Sequence, residues 1–159
     1  MADDEALLRR AITIAQAARD HGNHPFGCLL AAADGGVLME AENTVVTEAD
    51  ATGHAETNLV RLASRRYSRD ALSGMALYAS TEPCAMCSGA IYFSGIGQVV
   101  YALAGDALAG LTASDPDNPG LDLPCREAFS RGGRTVEVRG PFALPEAVAV
   151  HDGFSTRGG

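Results

Sequence analysis

Leu7, Ala11, Ile14 and Ala18 recur at three- and four-residue spacings, with Arg9, Arg10, Arg19 and Asp20 off that stripe. The pattern predicts an amphipathic helix over 2–20. His21-Gly22-Asn23-His24-Pro25 should end it, because proline disfavours a helical residue before it and glycine readily takes a helix C-terminal conformation. Residues 26–33 then read as a short, largely apolar strand. Asp34-Gly35-Gly36 is a hairpin signal, and 37–43 supplies the return strand.

From residue 44 to 53 the chain turns polar, with Asp50 or Thr52 available to cap a following helix. That helix is predicted over 54–67, burying Leu59, Leu62 and Ala63. Residues 75–80 read as a fully buried strand between Gly74 and Pro83, and 84–93 as a helix with Pro83 at its start. A valine- and aromatic-rich strand follows over 98–103. The stretch 104–123 reads as a surface excursion with one helical turn at 106–111. A short helix at 124–131, a strand at 135–138 and a closing helix at 145–154 complete the chain, and 155–159 should fray. This alternation predicts a single domain over 1–159, an α/β fold in which a three-layer α/β/α sandwich surrounds a mixed sheet of about five strands.

Composition narrows the class of protein. A chain of 159 residues can bury roughly 70% of its unfolded surface, enough for a core without disulfides. With 47% apolar and 20% charged residues, it reads as an ordinary globular chain. No apolar run approaches the ~20 residues of a membrane span, and Met1-Ala2-Asp3-Asp4-Glu5 lacks a basic export leader, so the expectation is a cytoplasmic enzyme with reduced thiols. The net charge of −8 opposes a polyanionic partner and favours a small neutral substrate without nucleic acid. Arg61, Arg65, Arg66 and Arg69 form the one concentrated basic group near the motifs below, and read as a solvated helix face.

His54-Ala55-Glu56 is followed by Pro83-Cys84-Ala85-Met86-Cys87. A Cys-x-x-Cys at a helix start places two thiols on one face, where the helix dipole favours the thiolate. Together with His54 they offer one neutral nitrogen and two thiolates, which balance the charge of Zn²⁺ and leave a fourth position open to water. Glu56 lies two residues from His54, near enough to move protons without binding the metal. Desolvation should raise its pKa and a neighbouring cation lower it. Two other readings compete: a structural zinc with Cys28 or Cys125 as fourth ligand, and a redox Cys-x-x-Cys pair.

These motifs, with His24-Pro25-Phe26-Gly27, Asn43 and Thr81-Glu82-Pro83-Cys84-Ala85-Met86-Cys87-Ser88-Gly89-Ala90-Ile91-Tyr92, resemble the cytidine-deaminase superfamily. Within it the chain is similar to guanine deaminases and related bacterial nucleobase or nucleoside deaminases. The resemblance implies one zinc per chain on His54, Cys84 and Cys87, and Glu56 as proton shuttle. It implies Asn43, Phe26 and the backbone N–H of Ala55 as contacts to a heterocyclic substrate, with Asp115, His151 and Phe154 as further candidates. It also implies a homodimer in which the C-terminal segment covers a site, in some relatives that of the partner subunit. Amino-substituted bases such as guanine and cytosine, nucleosides and s-triazines share the N=C–NH2 edge this chemistry needs. Adenosine in tRNA is the alternative substrate, opposed by the acidic balance and the absence of a basic C-terminal helix.

Overall fold

Asp3 opens the first helix of the computed structural model, which describes residues 2–112 and 120–154: its carboxylate accepts the Ala6 N–H at 3.1 Å. Asp4 and Glu5 lie in the positive first turn of this helix, α1 (Asp4–Asp20), and Arg19 in its negative last turn. Its buried stripe is Leu7, Leu8, Ala11, Ile12, Ala15 and Ala18. Next come β1 (Gly27–Ala31), β2 (Val37–Glu42), α2 (Ala55–Arg66), α3 (Arg69–Leu72), β3 (Ala76–Thr81) and α4 (Ala85–Ser94). The remaining elements are β4 (Gln98–Leu103), α5 (Gly105–Thr112), α6 (Cys125–Ser130), β5 (Glu137–Arg139) and α7 (Pro145–Ala149).

The strands form one five-stranded sheet in the order β2-β1-β3-β4-β5. β1 runs antiparallel to β2 and β3, whereas β3, β4 and β5 are parallel, so the sheet is mixed as predicted. Strand side chains alternate between two cores. Leu30, Leu77, Ala79 and Val99 join Leu59 of α2 and Ile91 of α4 on one face. Leu29, Tyr78 and Val100 meet Leu8 and Ile12 of α1 and Ala147 of α7 on the other. Each fully buried leucine here contributes about 2 kcal/mol relative to exposure. Gly27 sets how closely α1 approaches, because a Cβ there would lie 2.4 Å from the Ala15 nitrogen and 2.6 Å from the Ala11 carbonyl oxygen.

Several local expectations are corrected. Asp50 does not cap α2; its Oδ1 accepts the Thr52 N–H at 2.9 Å and the Thr52 hydroxyl, closing a turn, and His54 takes the cap position without a side-chain bond. Leu62 is 47% exposed, because the inner face of α2 runs through Ala55, Leu59 and Ala63. Pro83 lies outside α4, whose cap residue is Cys84. Helix α3, capped by Ser68, was not anticipated. The last strand is shorter and later than 135–138, its first N–H bonding Gly97 O. The closing helix stops at Ala149, and residues 150–153 continue as turns ending near Gly153 at φ +66.

Helix α5 extends the predicted turn at 106–111. Glu82 ties down both ends of this excursion: Oε1 accepts the Gly105 N–H at 2.9 Å and Oε2 the Cys125 N–H at 2.8 Å. Asp115 and the tail at 155–159 lie outside the described residues. Among the described residues no helix is long and apolar enough to cross a membrane.

Candidate metal centre and active site

The N-terminal ends of α2 and α4 converge on one side of the sheet, and each contributes its cap residue. His54 caps α2, Cys84 caps α4 and Cys87 lies in the first turn of α4. His54 Nδ1 is 3.5 Å from Cys84 Sγ and 3.5 Å from Cys87 Sγ, and all three donor atoms lie within 4.8 Å of one another. A tetrahedral zinc with its usual Zn–N and Zn–S lengths requires N···S edges of about 3.5 Å. The donor set therefore fits the ion in both chemistry and size. Cys28 and Cys125 are buried, unpaired thiols outside this cluster, so among the described residues the set contains three ligands.

The Cys87 thiol hydrogen-bonds Cys84 and draws its pKa down to about 4, with His54 adding to the effect against burial. Cys87 is pushed far upward by Cys84 and by burial. A divalent cation held by the two sulfurs would displace the proton between them.

Glu56 occupies the first turn of α2 and is 5% exposed. Burial raises its pKa, while Cys87 and the His54 charge pull it back. Asn43 is buried at the end of β2; its N–H bonds Phe26 O at 3.1 Å, and its Oδ1 accepts the Val45 N–H at 3.0 Å. Among the described residues, Asn43 Nδ2 has no acceptor. Ala55 is buried as the first residue of α2. Phe26 packs against the core beneath α2 and α4 and meets the His151 ring edge-on, centroids 5.4 Å apart. Phe154 similarly meets His24 at 5.7 Å. His151 thus lies against Phe26, whereas Phe154 lies between His24 and Arg19 of α1.

Asn58 and Asn23 brace the chain around Asn43, a role the sequence alone does not single out. Asn58 Nδ2 donates to Glu42 O at 3.0 Å and Thr44 Oγ1 at 2.9 Å, fastening α2 to the loop beyond Asn43. Asn23 Oδ1 accepts the Val46 and Thr47 N–H groups, holding that loop from the other side. Their sequence signal is weak, since an asparagine in a turn or on a helix face is commonplace. A surface groove of about 470 Å³ between α6 and β5 holds none of the metal-cluster residues.

Residues 1–103 match the family profile described as the cytidine and deoxycytidylate deaminase zinc-binding region. A Schizosaccharomyces pombe protein named "Probable cytosine deaminase" is 42% identical over 151 residues, covering 95% of this chain and 91% of the relative. Guanine deaminase of Bacillus subtilis is 39% identical over 99 residues, 62% of this chain and 63% of the relative. A solved structure from a study of A-to-I editing by tRNA:A34 deaminases superimposes with a TM-score of 0.72 at 26% identity, covering 92% of this chain and 99% of the other.

Proposed function

The chain belongs to the cytidine and deoxycytidylate deaminase zinc-binding family, and from that membership we propose that it hydrolytically deaminates a small amino-substituted N-heterocycle, with cytosine the first candidate. The observation that carries this reading is the three-ligand set beside a buried carboxylate: His54, Cys84 and Cys87 within 4.8 Å, and Glu56 two residues from His54. Three protein ligands leave a tetrahedral ion one position for chemistry. Cytosine takes precedence because similarity to the cytosine-deaminase relative spans 95% of this chain, including the C-terminal segment, whereas the guanine-deaminase match spans 62%.

When bound, zinc supplies a Lewis acid that makes water nucleophilic near neutral pH. Two protons then pass through Glu56. The first moves from the attacking water to the ring nitrogen beside the amino-bearing carbon. The second moves from the new C–OH to the departing amino group, so that heterocycle and water become the carbonyl compound and ammonia. The burial that raises the Glu56 pKa helps it keep the proton between these transfers. Asn43 is fixed through its N–H and Oδ1 and directs its amide nitrogen to the heterocycle. Phe26 offers an aromatic face, and the Ala55 N–H lies at the positive end of α2.

The test is ammonia release by zinc-loaded protein from cytosine, guanine, cytidine, an amino-s-triazine and an RNA stem-loop. Turnover of a free base, with cytosine highest, is the expected result. Activity confined to the stem-loop and suppressed by salt would move the assignment to RNA. No turnover at full zinc occupancy would leave a structural metal.

A further inference from the structure

Thr81 ends β3 three residues before Cys84 and is 3% exposed, yet its hydroxyl has no hydrogen-bond partner among the described residues. A buried hydroxyl left in this state is costly, and such a group in a native protein calls for a reason. The sheet register supplies one. Cys28 pairs with Ala79 and Leu29 with Tyr78, so the antiparallel register carried one step beyond β1 sets Thr81 opposite Phe26. On the other side, Gly27 pairs with Glu42, and the Asn43 N–H bonds Phe26 O. Asn43, Phe26 and Thr81 therefore occupy one row across three neighbouring chain segments.

Parity gives the face of that row. The preceding row contains Gly27, whose added Cβ would strike α1, and Ser80, whose hydroxyl accepts the Gly27 N–H at 3.2 Å. It faces α1. The row of Asn43, Phe26 and Thr81 faces the other way, with Cys28 and Ala79, toward the helices that carry His54, Cys84 and Cys87. Ser80 is thus satisfied on the α1 side, while Thr81 keeps its hydroxyl unpaired on the metal side.

We infer that Thr81 is a substrate-specificity residue whose hydroxyl hydrogen-bonds a polar ring atom of the uncharged heterocycle lying beside Phe26 and Asn43. The inference rests on the deaminase reading above and adds a ligand contact to it. A neutral hydroxyl both donates and accepts, so it suits a ring edge carrying a carbonyl oxygen, a ring nitrogen or an N–H.

Thr81→Val removes the hydroxyl and conserves shape; Thr81→Ser retains the hydroxyl. The valine variant should keep full zinc content, melt about 2–4 °C higher without ligand, and lose about tenfold in kcat/KM on the best free base, chiefly through KM. The serine variant should recover most of that loss. Valine activity within twofold of wild type would overturn the role of Thr81 alone. An unchanged or lower melting temperature in the valine variant would also overturn it, by showing that the hydroxyl supports the fold. Wild-type protein that deaminates no compound in the panel would instead remove the underlying deaminase reading, and this inference with it.

Discussion

The His151 imidazole meets the Phe26 ring edge-on, centroids 5.4 Å apart at an interplanar angle of 62°. Its Nε2 is buried without a partner among the described residues. The segment carrying it is held by Arg19, which donates to Val150 O at 2.8 Å and lies over the Phe154 ring, and by the Arg9–Glu146 ion pair at 2.8 Å. The last of these is surface-exposed and adds little on its own.

Burial, aided by the Arg19 charge and opposed by Asp152, lowers the His151 pKa from 6.5 to about 4. Between those values the undocked segment binds a proton that the docked one does not. Docking is therefore fully supported above pH 6.5 and weakens as pH falls toward 4, by up to about 3 kcal/mol. Amide exchange at 150–154 should accelerate over this range, and His151→Gln should flatten the response. An equally steep response in the variant would assign the effect elsewhere.

Zinc content separates the roles proposed around the cluster. Cys28→Ser and Cys125→Ser should each retain one zinc per chain, because neither thiol joins the three-ligand set. His54→Ala should lose it. Glu56→Ala should keep the metal and lose turnover by a factor of about 10²–10⁴, the range for removal of a general acid–base group. Metal analysis and ammonia release on the same preparations check all four variants; zinc loss in Cys28→Ser would restore the closed structural site.

Gly27→Ala tests how tightly the layers are fixed. The new methyl would meet backbone atoms of Ala11, Ile14 and Ala15 at 2.4–2.8 Å, which cannot rotate aside, so α1 must lift at a cost of about 3 kcal/mol. Thermal melting should fall by about 6–12 °C. A fall under 2 °C would show that the helix rides more loosely on the sheet.

Much of this arrangement was legible because periodicity and turn chemistry agreed with the tertiary packing. The stripe of α1, the Asp34-Gly35-Gly36 hairpin and the buried runs of β3 and β4 each carried their own local signal. The metal cluster was legible through spacing, since two thiols three residues apart at a helix start must share a face. Errors arose where distant contacts decided the outcome. Leu62 had the right spacing but not the inward phase, and the C-terminal helix stopped where Arg19 and Phe26 could engage the chain beyond it. Thr81 stands in the motif without a role in sequence alone, because the need for a hydroxyl partner emerges only when Phe26 and Asn43 are brought alongside.

Glu82 gives the fold a way to vary. One carboxylate holds Gly105 with one oxygen and Cys125 with the other, so the excursion departs from and returns to the same fixed anchor. Glu82 lies two residues before Cys84, so the excursion and the metal-ligating helix share one point of fixation. Shortening the sequence between those two attachments should therefore leave zinc content unchanged, as metal analysis of such a variant would check.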